Sequence, residues 1–216
     1  MINAKKMDAL EFVNSLDGGW DCIVWDYPYM DLKSAQIYND PRQKKYNRNK
    51  NIENHQIYKS YIPESYLLKL KGEILSKVDK CIFLTFFHQP KDFKDFIIWY
   101  KEPSRSRTGQ NILLNAEFIS WEIYNGYTIS SNTKDKHIFK VLAIPKKGGS
   151  GVTFSKPVQL YIELFEWINP SYVLDPFAGS YNSAKACKEL GIKIDTCDKY
   201  LDPPSILRKD LYHYGL

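Results

Sequence analysis

The stretch from Tyr172 to Asp198 constrains this chain more than any other. It opens on the apolar run Tyr172-Val173-Leu174 and turns through Asp175-Pro176-Phe177-Ala178-Gly179-Ser180. It then passes through Ala184-Lys185-Ala186-Cys187-Lys188-Glu189-Leu190-Gly191 and ends on Ile192-Lys193-Ile194-Asp195-Thr196-Cys197-Asp198. That order predicts a strand, a tight turn carrying a carboxylate and a glycine, a helix closed by Gly191, and a second strand ending in an acid. Such a unit is half of a nucleotide-binding α/β fold. The glycine lets backbone approach a ligand, the helix start offers free N–H groups, and Asp198, about 20 residues further on, suits ribose hydroxyls. The three-glycine dinucleotide fingerprint is missing, and no Lys-Ser/Thr pair follows the glycine as a phosphate loop requires. A nucleoside without phosphates fits better.

With 216 residues, the chain is long enough for one domain with a substantial core. Hydrophobic residues at 44% and charged residues at 25% describe a soluble globular protein. The longest apolar runs, such as Cys81 to Phe87, are too short to cross a bilayer, and Lys5, Lys6 and Asp8 interrupt any leader-like start. A cytoplasmic location and no membrane partner are expected. Cys22, Cys81, Cys187 and Cys197 lie in apolar segments without ligand spacing and read as buried thiols of a reducing compartment. The four histidines form no ligand pair, so no metal is expected. The net charge of +5 is unevenly spread. From Asp31 to Ser60, seven Lys/Arg stand against three acids, with Tyr and Asn interleaved. Arg42, Lys44, Lys45, Arg48 and Lys50 are therefore candidate phosphate contacts.

Near the start, Leu10, Phe12, Val13 and Leu16 have helical spacing, ended by Asp17-Gly18-Gly19. The short apolar run Cys22-Ile23-Val24-Trp25 then enters Asp26-Tyr27-Pro28-Tyr29. Pro28 cannot continue a central strand, which leaves Asp26 and Tyr29 at its carboxyl end, the edge where open α/β sheets bind ligands.

These two stretches together carry a resemblance. Asp175 to Tyr181 resembles the D-P-F-x-G-S-G motif of amino-group DNA methyltransferases, and Asp26-Tyr27-Pro28-Tyr29 resembles their catalytic D-P-P-Y. Their frequent G-D-A-L lead-in is similar to Met7-Asp8-Ala9-Leu10. Phe154-Ser155-Lys156-Pro157, ahead of a helix with Leu160, Tyr161, Leu164, Phe165 and Ile168 on one face, resembles their K-P motif. Catalytic motif, recognition region, K-P motif and donor motif follow in the order of the beta class. The resemblance implies a Rossmann-like S-adenosylmethionine-dependent fold: one α/β domain with a mostly parallel, doubly wound sheet. It implies a catalytic half over about 1–125, a short recognition or linker region over about 126–151 and a donor-binding half over about 152–200.

It also assigns roles. Asp26, Tyr27, Pro28 and Tyr29 would be catalytic. Asp8, Lys156, Asp175, Pro176, Phe177, Gly179, Ser180 and Asp198 would hold S-adenosylmethionine, with Asp8 placed ahead of Asp210 as the acid facing adenine. The substrate would be duplex DNA with a flipped base, methylated at an exocyclic amine, adenine N6 ahead of cytosine N4. An RNA base methyltransferase and a catalytically impaired nucleic-acid-binding relative are the alternatives. A homodimer and a cognate restriction nuclease remain open. Two departures bear on activity: Tyr27 replaces the first proline of D-P-P-Y, and Tyr181 stands where the donor motif has its last glycine.

Elsewhere, Glu64 to Val78 predicts a helix opened near Pro63, and Cys81 to Phe87 a buried strand. A helix from about Lys91 through Phe96 is expected to lead into a strand over Ile97 to Lys101, with Ala116 to Tyr124 pairing beside it. The polar segment Gly126 to Gly151 reads as recognition region or plain connector.

Overall fold

The structure, a computed structural model, describes residues 1–27, 62–87, 96–102, 116–129, 138–142 and 156–208. Pro28, Tyr29, the basic residues from Arg42 to Lys50, the Gly148–Gly151 run and Asp210 lie outside them. The strands are β1 (Ile2–Lys6), β2 (Cys22–Trp25), β3 (Cys81–Phe87), β4 (Phe96–Glu102), β5 (Ala116–Tyr124), β6 (Ile138–Leu142), β7 (Tyr172–Asp175) and β8 (Lys193–Asp198). The helices are α1 (Ala9–Asn14), α2 (Glu64–Leu75), α3 (Val158–Ile168), α4 (Asn182–Leu190) and the single turn α5 (Ser205–Arg208).

All eight strands form one sheet in the order β1-β8-β7-β2-β3-β5-β4-β6, parallel except for β5, which runs against both β3 and β4. Side chains alternate between the two faces, so the apolar residues divide into two cores. Cys22 and Val24 pack with Val173, α3 and α4, whereas Ile23 and Trp25 pack with Leu174, α1 and α2. This is the two-sided burial that makes parallel strands read as continuous apolar runs. Side chains such as Phe12, Phe83 and Phe165, all but fully buried, each contribute roughly 1.5–3 kcal/mol by leaving water.

Helix ends follow local chemistry. Asp8 caps α1, its carboxylate accepting from Leu10 N–H at 3.1 Å. Gly191, with φ of 72°, ends α4 in the left-handed region that glycine enters without a Cβ penalty, and Ile192 N–H closes on Cys187 O at 2.8 Å.

Three elements differ from expectation. Phe96 opens strand β4 instead of ending a helix. β1 has no counterpart among the expected strands, and β6 lies within the segment read as recognition region or connector, pairing parallel to β4 from Ile98↔Ile138 to Glu102↔Leu142.

At the amino ends of the strands, Asp195 gathers three elements. Its carboxylate, 3% exposed, accepts from Trp20 Nε1 and Asn3 Nδ2, each at 2.8 Å, and from the Tyr172 hydroxyl. Replacing it with alanine leaves a buried indole N–H and a phenol without their acceptor. Asp195→Ala should lower the unfolding free energy by about 2 kcal/mol or more, read from the urea midpoint.

Candidate functional site at the carboxyl ends of β2 and β7

β2 and β7 are hydrogen-bonded neighbours, with Cys22↔Val173 and Ile23↔Leu174 in register. Among the described residues, the next helices after them pack on opposite faces, α2 with the Ile23 core and α4 with the Val24 core. Neighbouring strands whose connections diverge leave a crevice at their carboxyl ends, the usual ligand position in open α/β sheets. Asp26 and Tyr27 leave β2 there, and Asp175 to Ser180 leave β7 there. The two loops predicted to act together thus share one edge of the sheet.

On the β7 side the turn is fixed from beneath. Ala178 N–H donates to Cys197 O at 2.9 Å, and Gly179 N–H donates to Asp198 Oδ2 at 3.0 Å. Asp198 Oδ1 accepts from Tyr200 and Leu201 N–H at 2.8 Å each. A carboxylate has about four acceptor positions, so three such bonds leave room for one more on Oδ2. Gly179 has φ of 52°, and a Cβ built on it would meet nothing nearer than Phe177 O at 4.0 Å. The backbone above the turn is open to a ligand, as a nucleoside site needs.

Asp175 points the other way. It is 2% exposed and accepts from Phe177 N–H at 3.1 Å and from the Ser183 hydroxyl. It frames the turn and the start of α4, so its part in binding is indirect. Burial, with the Asp26 and Asp198 carboxylates nearby, pushes its pKa up to about 7 against hydrogen bonds from Ser183 and Phe177. Pro176 is also buried, with its carbonyl accepting from Cys197 Sγ at 3.5 Å.

Two contacts hold the β2 loop, one to the segment before α3 and one to the turn after β7. Lys156, immediately before α3, donates from Nζ to Asp26 Oδ1 at 2.6 Å, with side chains only 9% and 15% exposed. The same ammonium lies 5.3 Å from the centroid of the Phe86 ring, within cation–π range. Tyr27 packs edge-on against Phe177 of the turn, with centroids 6.3 Å apart, and both rings meet Trp25. The backbone of Lys156 is anchored to α4, since Asn182 Nδ2 donates to its carbonyl at 2.6 Å.

Asp8 belongs to the same edge, because Met7 N–H donates to Asp198 O at 3.0 Å. Its carboxylate accepts from Tyr66 hydroxyl at 2.6 Å and from Lys199 Nζ at 3.2 Å, as well as capping α1. Burial raises its pKa, but these donors outweigh it and hold the carboxyl below the usual range. Tyr181 sits at φ of 57°, which explains why a glycine suits this position. Its ring is buried, and its hydroxyl lies 2.9 Å from Lys5 O and 3.0 Å from Leu201 O, one proton between two carbonyls. Asn182, Ser183, Tyr66 and Phe86 were not singled out in sequence. Asn182 and Ser183 directly follow the turn, a place where polar side chains cap a helix, whereas nothing marked Tyr66 or Phe86. Among the described residues no group of three or more His, Cys, Asp or Glu could hold a metal, and no helix is long and apolar enough to cross a membrane.

Sheet order, switch point and the strand-turn-helix unit around Gly179 together give the Rossmann-like fold of S-adenosylmethionine-dependent methyltransferases. The particular likenesses are to DNA methyltransferase structures. M1.HpyAVI matches with a TM-score of 0.57 and 16% identity over 97% of this chain and 96% of its own. TTHA0409 of Thermus thermophilus, a candidate DNA modification methylase complexed with S-adenosyl-L-methionine, gives 0.54 and 16% over 92% and 88%. The cytosine-N4-specific PvuII DNA methyltransferase gives 0.57 and 12% over 96% and 89%. At these identities the likeness is one of fold. No family model matches the sequence, and no curated protein matches it significantly.

The raised Asp175 carboxyl has a stability consequence. The native state keeps its proton up to about pH 7, whereas the unfolded chain loses it near the ordinary value of 3.8. The native state therefore binds more protons between those limits, and its stability should fall as pH rises through that window. Asp175→Asn should remove this fall, seen as a flatter difference in melting temperature between pH 4 and 7.

Proposed function

We propose that this chain is a single methyltransferase domain that binds S-adenosylmethionine over the Gly179 turn and methylates an exocyclic amine of a DNA base, adenine N6 ahead of cytosine N4. The observation that carries the reading is the meeting of Asp26 and the Gly179 turn at the carboxyl ends of two paired strands. The S-adenosylmethionine-bound neighbour structure supports the choice of donor, and the DNA methyltransferase neighbours support the polymer.

The residues fit this donor. Gly179 leaves its backbone uncovered, Asp198 retains an acceptor position for a ribose hydroxyl, and Lys156 supplies a cation for a carboxylate. S-adenosylmethionine supplies an electrophilic methyl group, and transfer to an amine leaves S-adenosylhomocysteine and a proton. The protein's task is to make a poor nucleophile better. An aromatic amine has its lone pair delocalised into the ring. Acceptance of its hydrogens by the Asp26 carboxylate and by a backbone carbonyl of the loop favours a tetrahedral nitrogen and stabilises its developing positive charge. Holding the amine in line at near-contact distance supplies the rest, with no covalent intermediate needed.

Tyr29 is proposed to stack on the extruded base, offsetting by roughly 1–3 kcal/mol an extrusion that costs about a few kcal/mol. Arg42, Lys44, Lys45, Arg48 and Lys50 are proposed to contact phosphates. Asp8 and Lys199, one residue beyond Asp198, are proposed to lie toward the adenine end. A catalytically silent reading draws on Tyr27, which lacks proline's fixed φ. Packing of its ring against Phe177 and Trp25 supplies another restraint on the same loop, which favours the active reading.

Incubation with methyl-labelled donor and DNA or RNA should label DNA, and Asp26→Ala should lower that labelling at least about 100-fold without loss of donor binding. Full transfer by the variant would remove Asp26 from the chemistry. Neutralising Lys44, Lys45 and Arg48 together should weaken DNA binding and reduce the slope of log K against log salt by up to about 3. An unchanged slope would mean that these residues do not reach phosphate.

A further inference from the structure

The Lys156–Asp26 pair does not behave as a stability device. Removing an ammonium and a carboxylate from water costs several kcal/mol for each ion, and a well-packed apolar pair is often at least as stable. Breaking such a pair leaves the remaining charge in need of a counter-ion. Here the acid is the residue proposed to grip the target amine, and the pairing occupies part of its acceptor capacity. The lysine is placed to serve a second anion. It stands at the start of α3, an 11-residue helix whose N-cap, Pro157, makes no side-chain capping bond, so the helix end itself favours negative charge. Its carbonyl is clamped by Asn182, the first residue of the helix after the donor turn, while its side chain reaches across to the catalytic loop. Among the described residues, two other ammonium groups near this edge are held by other partners. Lys185 bonds Ser180 O at 3.1 Å and Asn182 Oδ1 at 2.7 Å, and Lys199 bonds Asp8.

We infer that Lys156 is a counter-ion shared between Asp26 and the carboxylate of the methyl donor, so that one ammonium couples donor binding to the availability of the catalytic acid. This rests on the function proposed above and goes beyond it. The carboxylate is the donor's one anionic group, and it competes with Asp26 for the same buried cation. As it draws Lys156 toward α3, the lone pairs of Asp26 turn to the N–H groups of the target amine. Before that exchange the acid is tied down, and the base meets a weaker acceptor. The coupling is reciprocal, because whatever removes the charge of Asp26 strengthens the hold of Lys156 on the donor.

The test compares S-adenosylmethionine with its decarboxylated form by calorimetry on the full chain, reading the ratio of the two dissociation constants. Any effect of Asp26 on the sulfonium is common to both ligands and cancels in that ratio. Asp26→Asn keeps the shape and removes the charge, and it should widen the preference for the carboxylate-bearing donor by about fivefold or more. Lys156→Gln should collapse the preference, and adding Asp26→Asn to it should change nothing further. An unchanged ratio in Asp26→Asn overturns the shared counter-ion, and that variant decides the matter even if Lys156→Gln does not fold. Donor binding and methyl transfer by the wild type with an unmoved ratio defeat this inference alone. No binding of either ligand to the wild type defeats the proposed function, and this inference with it.

Discussion

Strands β2 and β7 are bonded side by side while the helices after them pack on opposite faces of the sheet. Everything at the site depends on that divergence. Among the described residues, Asp26 and Tyr27 on one side and the Asp175 to Ser180 turn on the other stand at the carboxyl ends of the pair. Among the described residues, the rings of Trp25, Tyr27 and Phe177 join one loop to the other, and the Lys156–Asp26 ion pair joins the β2 loop to the start of α3. A sheet in which β2 and β7 were separated by another strand would carry both loops and bring neither to the other.

The core of this arrangement was legible in the sequence because its local signals agree. The apolar run of β7, the Asp-Pro turn, the glycine that closes α4 and the acid that ends β8 all point to one strand-turn-helix-strand unit, and the structure has it within a residue or two. β1 was hidden for a physical reason. As an edge strand it pairs only with β8, and only Ile2 of Ile2-Asn3-Ala4-Lys5-Lys6 is buried, so it shows neither an apolar run nor alternation. β6 is five residues in a lysine-rich segment, and Phe96 precedes an apolar run that helix and strand both accept. The Lys156–Asp26 contact was invisible for another reason. Its partners are 130 residues apart, and only the fold of the sheet makes them neighbours.

The two departures from the family pattern show how packing can stand in for backbone preference. Proline in a catalytic loop fixes one φ by its ring; Tyr27 has no such restraint, but its side chain is pinned between Trp25 and Phe177. Glycine enters positive φ freely; Tyr181, at the end of the turn after β7, bears a strain of about 1–3 kcal/mol there. Burial of its ring and the bond from its hydroxyl to the carbonyls of Lys5 and Leu201 offset that strain. That bond also links α4 to the ends of β1 and β8. Each tyrosine thus ties the crevice to the sheet around it, a function that neither proline nor glycine can perform.

The carboxylates at this edge are restrained in different ways. Asp26, Asp175 and Asp198 stand close enough for the first and third to raise the pKa of the second. Below about pH 7 Asp175 keeps its proton, which relieves the repulsion, while Asp198 is held by three backbone N–H groups and Asp26 by Lys156. Asp198 and Asp26 thus keep different restraints: backbone N–H groups fix the first in one orientation, whereas the second is paired with a long side chain that can move.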